Sequence, residues 1–110
     1  MLAIALSAAL FLGSQDKPLR DDFDALTSCF AARLLVYEKD GGSREEAMAK
    51  ARPYHEAAMA KLPQGLDFGQ KVAAAKTTLI GFYSFQNPDD PYPALRDYVM
   101  QCDRRMAAGK

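Results

Sequence analysis

Two cysteines, Cys29 and Cys102, lie 73 positions apart and allow a single intrachain pairing. That pairing would tie the first amphipathic segment of the chain to the last. Closing a loop of this length stabilises a domain by roughly 4 kcal/mol in the chain-entropy model, a large share of the roughly 5–15 kcal/mol by which small domains are stable. The alternative is a pair of buried free thiols that pack as small hydrophobes in a reducing compartment. The sequence has no Cys-x-x-Cys, and two cysteines with one histidine do not complete a standard four-ligand zinc site. The choice between bridge and thiols therefore rests on the compartment.

The N-terminus speaks to the compartment. "LAIALSAALFL" carries no charge and has the length of a signal-peptide apolar core, well short of the roughly 20 residues of a spanning helix. No Lys or Arg precedes it, and the best small-x-small match, Ser7-Ala8-Ala9, leaves a short apolar core unless a charged start lies upstream. The expectation is a signal peptide over 1–14, a flexible segment over 15–22 and a helical domain over 23–107. It brings with it a periplasmic or secreted location and a formed Cys29–Cys102 disulfide. The competing reading is a buried N-terminal helix of a cytosolic protein with free thiols.

Downstream, apolar residues recur at spacings of three and four. Phe23, Leu26, Phe30, Leu34 and Tyr37 form one helical stripe, with Asp21 or Asp22 as its cap and Gly41 or Gly42 at its end. Ser43 and Glu46 have capping-box spacing and start a second helix whose stripe is Met48, Ala51, His55, Ala58 or Met59, and Leu62. Pro53 lacks an amide donor and is expected to kink or divide that helix. A third helix starts at Asp67 with Gln70 as its partner and carries Phe68, Val72, Ala75, Leu79 and Phe82. Its second half, "TTLIGFYSF", is apolar on nearly every side, which predicts a central helix buried on most sides. After the loop "NPDDPYP", Pro91 or Pro93 opens a last helix with Leu95, Tyr98 or Val99, Cys102 and Met106 on one face. The predicted fold is all-α: a compact bundle of about four amphipathic helices, the first and last joined by one disulfide.

With 110 residues there is room for one domain. Fourteen Lys and Arg balance fourteen Asp and Glu, so no basic footprint exists for nucleic acid or anionic lipid, and no stable membrane span is expected.

Candidate chemistry is sparse. His55 begins a His-Glu-x-x pattern, but Met59 stands where a zinc-protease helix needs its second histidine. His55 and Met59 on one face could hold a soft metal such as copper(I); the simpler reading makes His55 a partly buried residue beside Pro53. Carboxylate pairs at Asp21/Asp22, Glu45/Glu46 and Asp89/Asp90 fall at helix starts or in a turn, where capping explains them. Ser28, Ser43 and Ser84 read as cap and surface residues. The expectation is a protein without catalytic residues, cofactor or metal.

What remains is the aromatic stretch around "IGFYSFQNPDDPYP". Buried, it is core; exposed, Tyr83, Phe85 and Tyr92 become anchors for a partner protein. A short exported helical domain with one helix-to-helix disulfide is similar in plan to small bacterial periplasmic acid-stress chaperones and to immunity proteins that neutralise cell-wall-directed toxins, a likeness that carries no residue across. The first expectation is a non-enzymatic exported protein that binds another protein. An acid-stress-type chaperone and a cytosolic helical protein with free thiols are the alternatives.

Overall fold

The structure, a computed structural model, describes residues 18–108. The signal-peptide reading of 1–14 lies outside the described residues. A turn of 3-10 helix at Leu19–Asp21 leads into four α-helices: α1 (Phe23–Lys39), α2 (Arg44–Ala60), α3 (Phe68–Gln86) and α4 (Tyr92–Ala108). There is no strand among the described residues. None of these helices is long and apolar enough to cross a membrane.

The helix starts follow the capping chemistry of the sequence. The Asp22 carboxylate accepts from the Ala25 amide at 3.1 Å, Ser43 Oγ from the Glu46 amide at 3.1 Å, and the Asp67 carboxylate from the Gln70 amide at 3.2 Å. At Ser43 the hydroxyl also donates to the Glu46 carboxylate, so the reciprocal half of the box runs between side chains. After α1 the chain turns at Gly41, whose φ of +78° suits a residue without Cβ. Pro53 does not divide α2, which is helical from Arg44 to Ala60.

α1 is the hub. The 3-10 turn, α2, α3 and α4 all pack on it, whereas α2 and α3 barely approach one another. The reason is composition. Ala25, Thr27, Ser28, Ala31 and Ala32 are buried on α1 beside Leu26, Cys29, Phe30 and Leu35, and small side chains let three neighbouring helices come close. The expected central position of α3 is corrected: only Val72 and Leu79 are fully buried on it, and its apolar second half lies at the periphery. Ser28, expected at the surface, is buried. On α2 Ala51 and Ala58 are buried as expected, but Ala47 and Tyr54 take the places of Met48 and His55 in the buried stripe, and Met48 and Met59 are exposed. On α4 the buried residues are Leu95, Tyr98, Cys102 and Met106, which the helical spacing anticipates. Of the segment 15–22, Leu19 is fully buried in the core.

Cys29 and Cys102 are joined, with Cα atoms 5.9 Å apart and both side chains buried, so the first and last helices are linked. One turn further along α1 and one residue further along α4, a polar clamp repeats the link. The Asp103 carboxylate accepts hydrogen bonds from the Arg33 guanidinium on α1 and from the Tyr54 hydroxyl on α2. Burial pushes the Asp103 pKa up, but those two hydrogen bonds and the charges of Arg33 and Lys50 outweigh it and hold the carboxyl below its ordinary 3.8. Burial and the carboxylate hold the Tyr54 hydroxyl protonated, as a donor.

A carboxyl whose pKa falls on folding stabilises the native state above its unfolded pKa, and that contribution disappears as the pH drops through the folded value. Asp103→Asn is expected to lower stability at neutral pH by roughly 1 kcal/mol, a small effect because solvent screens a half-exposed carboxylate. Urea midpoints measured from about pH 7 to about pH 2 should show the variant and the parent converging below the ordinary aspartate pKa. A gap of constant size across that range would remove Asp103 from the account of acid stability.

Candidate functional site

Two regions outside the packed core present apolar surface in an organised way. The first is the corner where α3 ends and α4 begins. Burying one apolar stripe of a helix against α1 leaves the rest of its circumference uncovered, and α3 is apolar on most of that circumference. Leu79 faces the core, Ile80, Phe82 and Tyr83 are half-buried, and Phe85 is 86% exposed. Tyr83 lies against Phe82 and Tyr98, at ring-centroid distances of 5.0 and 6.2 Å. Burial raises the pKa of its hydroxyl, and the charge of Asp97 adds to the effect.

Tyr92 opens α4, its amide donating to the Asp90 carboxylate at 3.0 Å, and its half-buried ring lies beneath the Lys39 ammonium at 5.3 Å. The three aromatic residues singled out from the sequence thus differ in setting: Tyr83 and Tyr92 are partly packed and Phe85 projects. Around them Asp89, Asp90 and Asp97 are exposed, while the nearby cations are engaged, Lys39 with Tyr92 and Arg96 with Asp40.

The second region is a groove of about 620 Å³ between α2 and α3, floored by α1. It exists because the two wall helices pack on the same hub and approach each other little beyond the contact of His55 with Phe68. Sequence reasoning missed it, although the residues that build it recur at one-turn spacing: Phe30, Leu34 and Glu38 on α1, and Phe68, Val72 and Lys76 on α3. His55 belongs to this groove. Its ring lies 5.6 Å from that of Phe30 and 5.4 Å from that of Phe68, which places it in an aromatic cluster. Met59, its supposed companion for a soft metal, is exposed and does not line the groove.

Comparison of the chain with protein-family models, with curated proteins and with solved structures finds no match. Geometry and chemistry alone therefore support the functional reading.

Proposed function

We propose that this is a small exported, non-enzymatic protein that acts by binding another protein through the α3–α4 corner. The observation that carries the proposal is the peripheral position of an apolar helix end, with Phe85 86% exposed and Tyr83 and Tyr92 beside the same loop. An aromatic side chain exposed at a helix end, near in sequence to the half-buried Tyr83 and Tyr92, is of the kind that anchors an interface. The exposed carboxylates of Asp89, Asp90 and Asp97 select the partner's chemistry: an apolar pocket bordered by basic residues. A disulfide between α1 and α4 is compatible with an oxidising compartment and supports export.

A photo-crosslinking amino acid at position 85, expressed in the native host, tests this reading. The expected result is one discrete adduct from position 85, the same adduct from position 92, and none from the exposed position 50 on α2. Asp89→Lys with Asp90→Lys should abolish it, because the rim charge is reversed. Phe85→Asp should abolish binding while changing stability by less than about 0.5 kcal/mol, as for other exposed positions. Adducts of equal yield from positions 50 and 85, or adducts indifferent to the charge reversal, would overturn the assignment.

A further inference from the structure

We infer that the groove between α2 and α3 is a binding site for a single-chain amphiphile with a carboxylate head, the alkyl tail lying toward Phe30, His55 and Phe68 and the head at Arg44. The groove is graded from end to end in the same sense on all three of its helices. Along α1 the lining runs Phe30, Leu34, Glu38, and along α3 it runs Phe68, Val72, Lys76; along α2, in the opposite chain direction, it runs His55, Met48, Arg44. One end is thus a cluster of three rings 5.4–5.6 Å apart. The middle is aliphatic, and the other end is charged.

The charged residues that line that end, Glu38, Lys76 and Arg44, leave one positive charge, with the carboxylates of Glu45 and Glu46 outside the lining and Glu46 held by Ser43 Oγ. Lys76 Nζ lies 3.4 Å from the Glu38 carboxylate and is largely neutralised by it, whereas Arg44 makes no ion pair among the described residues. An apolar trough lined at one end by rings and at the other by a guanidinium that makes no ion pair among the described residues complements one alkyl chain with one anionic head. A volume of about 620 Å³ falls within the roughly 300–1,000 Å³ of small-molecule sites, while a protein partner would need on the order of 800 Å² of contact surface from this side alone. Eight residues separate Phe30 from Glu38 and Phe68 from Lys76, about 12 Å of helix, which suits a chain of the length of decanoate. None of Tyr83, Phe85 and Tyr92 lines the groove, so this inference stands apart from the partner-binding proposal.

Calorimetric titration of the full folded domain with decanoate, decanol and decyltrimethylammonium tests it. Decanoate is expected to bind saturably and most tightly, decanol more weakly and the cation weakest. Shortening the acid from decanoate to octanoate should weaken binding by up to about fourfold for each methylene removed. Arg44→Gln should weaken decanoate binding about fivefold to tenfold and leave decanol unchanged, since one charge-assisted contact is lost. Ala73 is exposed on the groove wall, so Ala73→Phe fills the trough without disturbing the core and should abolish binding of all three probes while the melting temperature holds. Amide shifts induced by decanoate should cluster at residues 30, 34, 55, 68 and 72. Equal affinity for the acid and the cation, binding that survives Ala73→Phe, or shifts clustered at the α3–α4 corner would each overturn the inference.

Discussion

Cys102→Ala is expected to lower the melting temperature by on the order of 20 °C, and Cys29→Ala to do the same. Either substitution releases a loop of 73 positions, and restoring that freedom to the unfolded chain removes roughly 4 kcal/mol of stability. For a domain of about 90 residues each kcal/mol moves the midpoint by roughly 4–8 °C. The double variant should be no worse than either single one, because the interaction is already gone. In the parent protein both cysteines are 2% exposed, so a reductant at room temperature should act only as fast as the domain opens. Thermal melts of the parent and three variants, with and without dithiothreitol, make the comparison. A single variant that melts within a few degrees of the parent would mean that packing of α1 on α4, rather than the bridge, holds the two helices together.

Leu26→Ala is expected to destabilise by about 3 kcal/mol, within the range of roughly 2–5 kcal/mol seen when a large buried side chain is truncated. Leu26 is fully buried on the hub helix, and the backbone around it is pinned by several neighbouring helices, which limits how far the cavity can collapse. The same truncation at Ile80, half-buried on the peripheral helix α3, should remove about 1 kcal/mol or less. Chemical denaturation of the two variants ranks the helices directly. A larger loss at Ile80 than at Leu26 would return α3 to the centre of the bundle.

That ranking marks the boundary of what the sequence makes legible. Helix number, caps and termini follow from local signals, and the structure places Asp22, Ser43 and Asp67 as N-caps where spacing puts them. The buried face of α4 is legible because its residues are large and regularly spaced, although the helix opens at Tyr92 rather than at Pro91 or Pro93. α1 and α2 are legible only in part: Leu26, Phe30, Ala51 and Ala58 are buried where the spacing puts them, but much of the remaining burial is carried by Ala25, Ala31, Ala32 and Ala47. An alanine contributes little apolar area, so a reading based on large side chains passes over it, yet its small size is what allows a second helix to approach. On α2 the expected Met48 and His55 each stand one residue from the buried Ala47 and Tyr54. Tyr54 confirms the true orientation, since its ring is buried and its hydroxyl reaches Asp103 on α4.

The candidate sites divide along the same line. Phe85 is legible as a surface candidate because it points away from the Leu79 side of its own helix. The groove is not, because it depends on the gap between α2 and α3, a tertiary quantity that no local pattern encodes. Its building blocks at 30, 34 and 38 and at 68, 72 and 76 are visible only once the three helices are set side by side.

The central claim is a helical domain whose first and last helices are bridged in its native compartment, since the export reading and a partner outside the cytoplasm both depend on it. The intact mass of the protein isolated from its own cells, with thiols alkylated before and after reduction, tests that claim most directly. The account predicts no label on the untreated protein and two labels after reduction, at Cys29 and Cys102. Two labels without any reductant would contradict it, and with it the exported binding role proposed above.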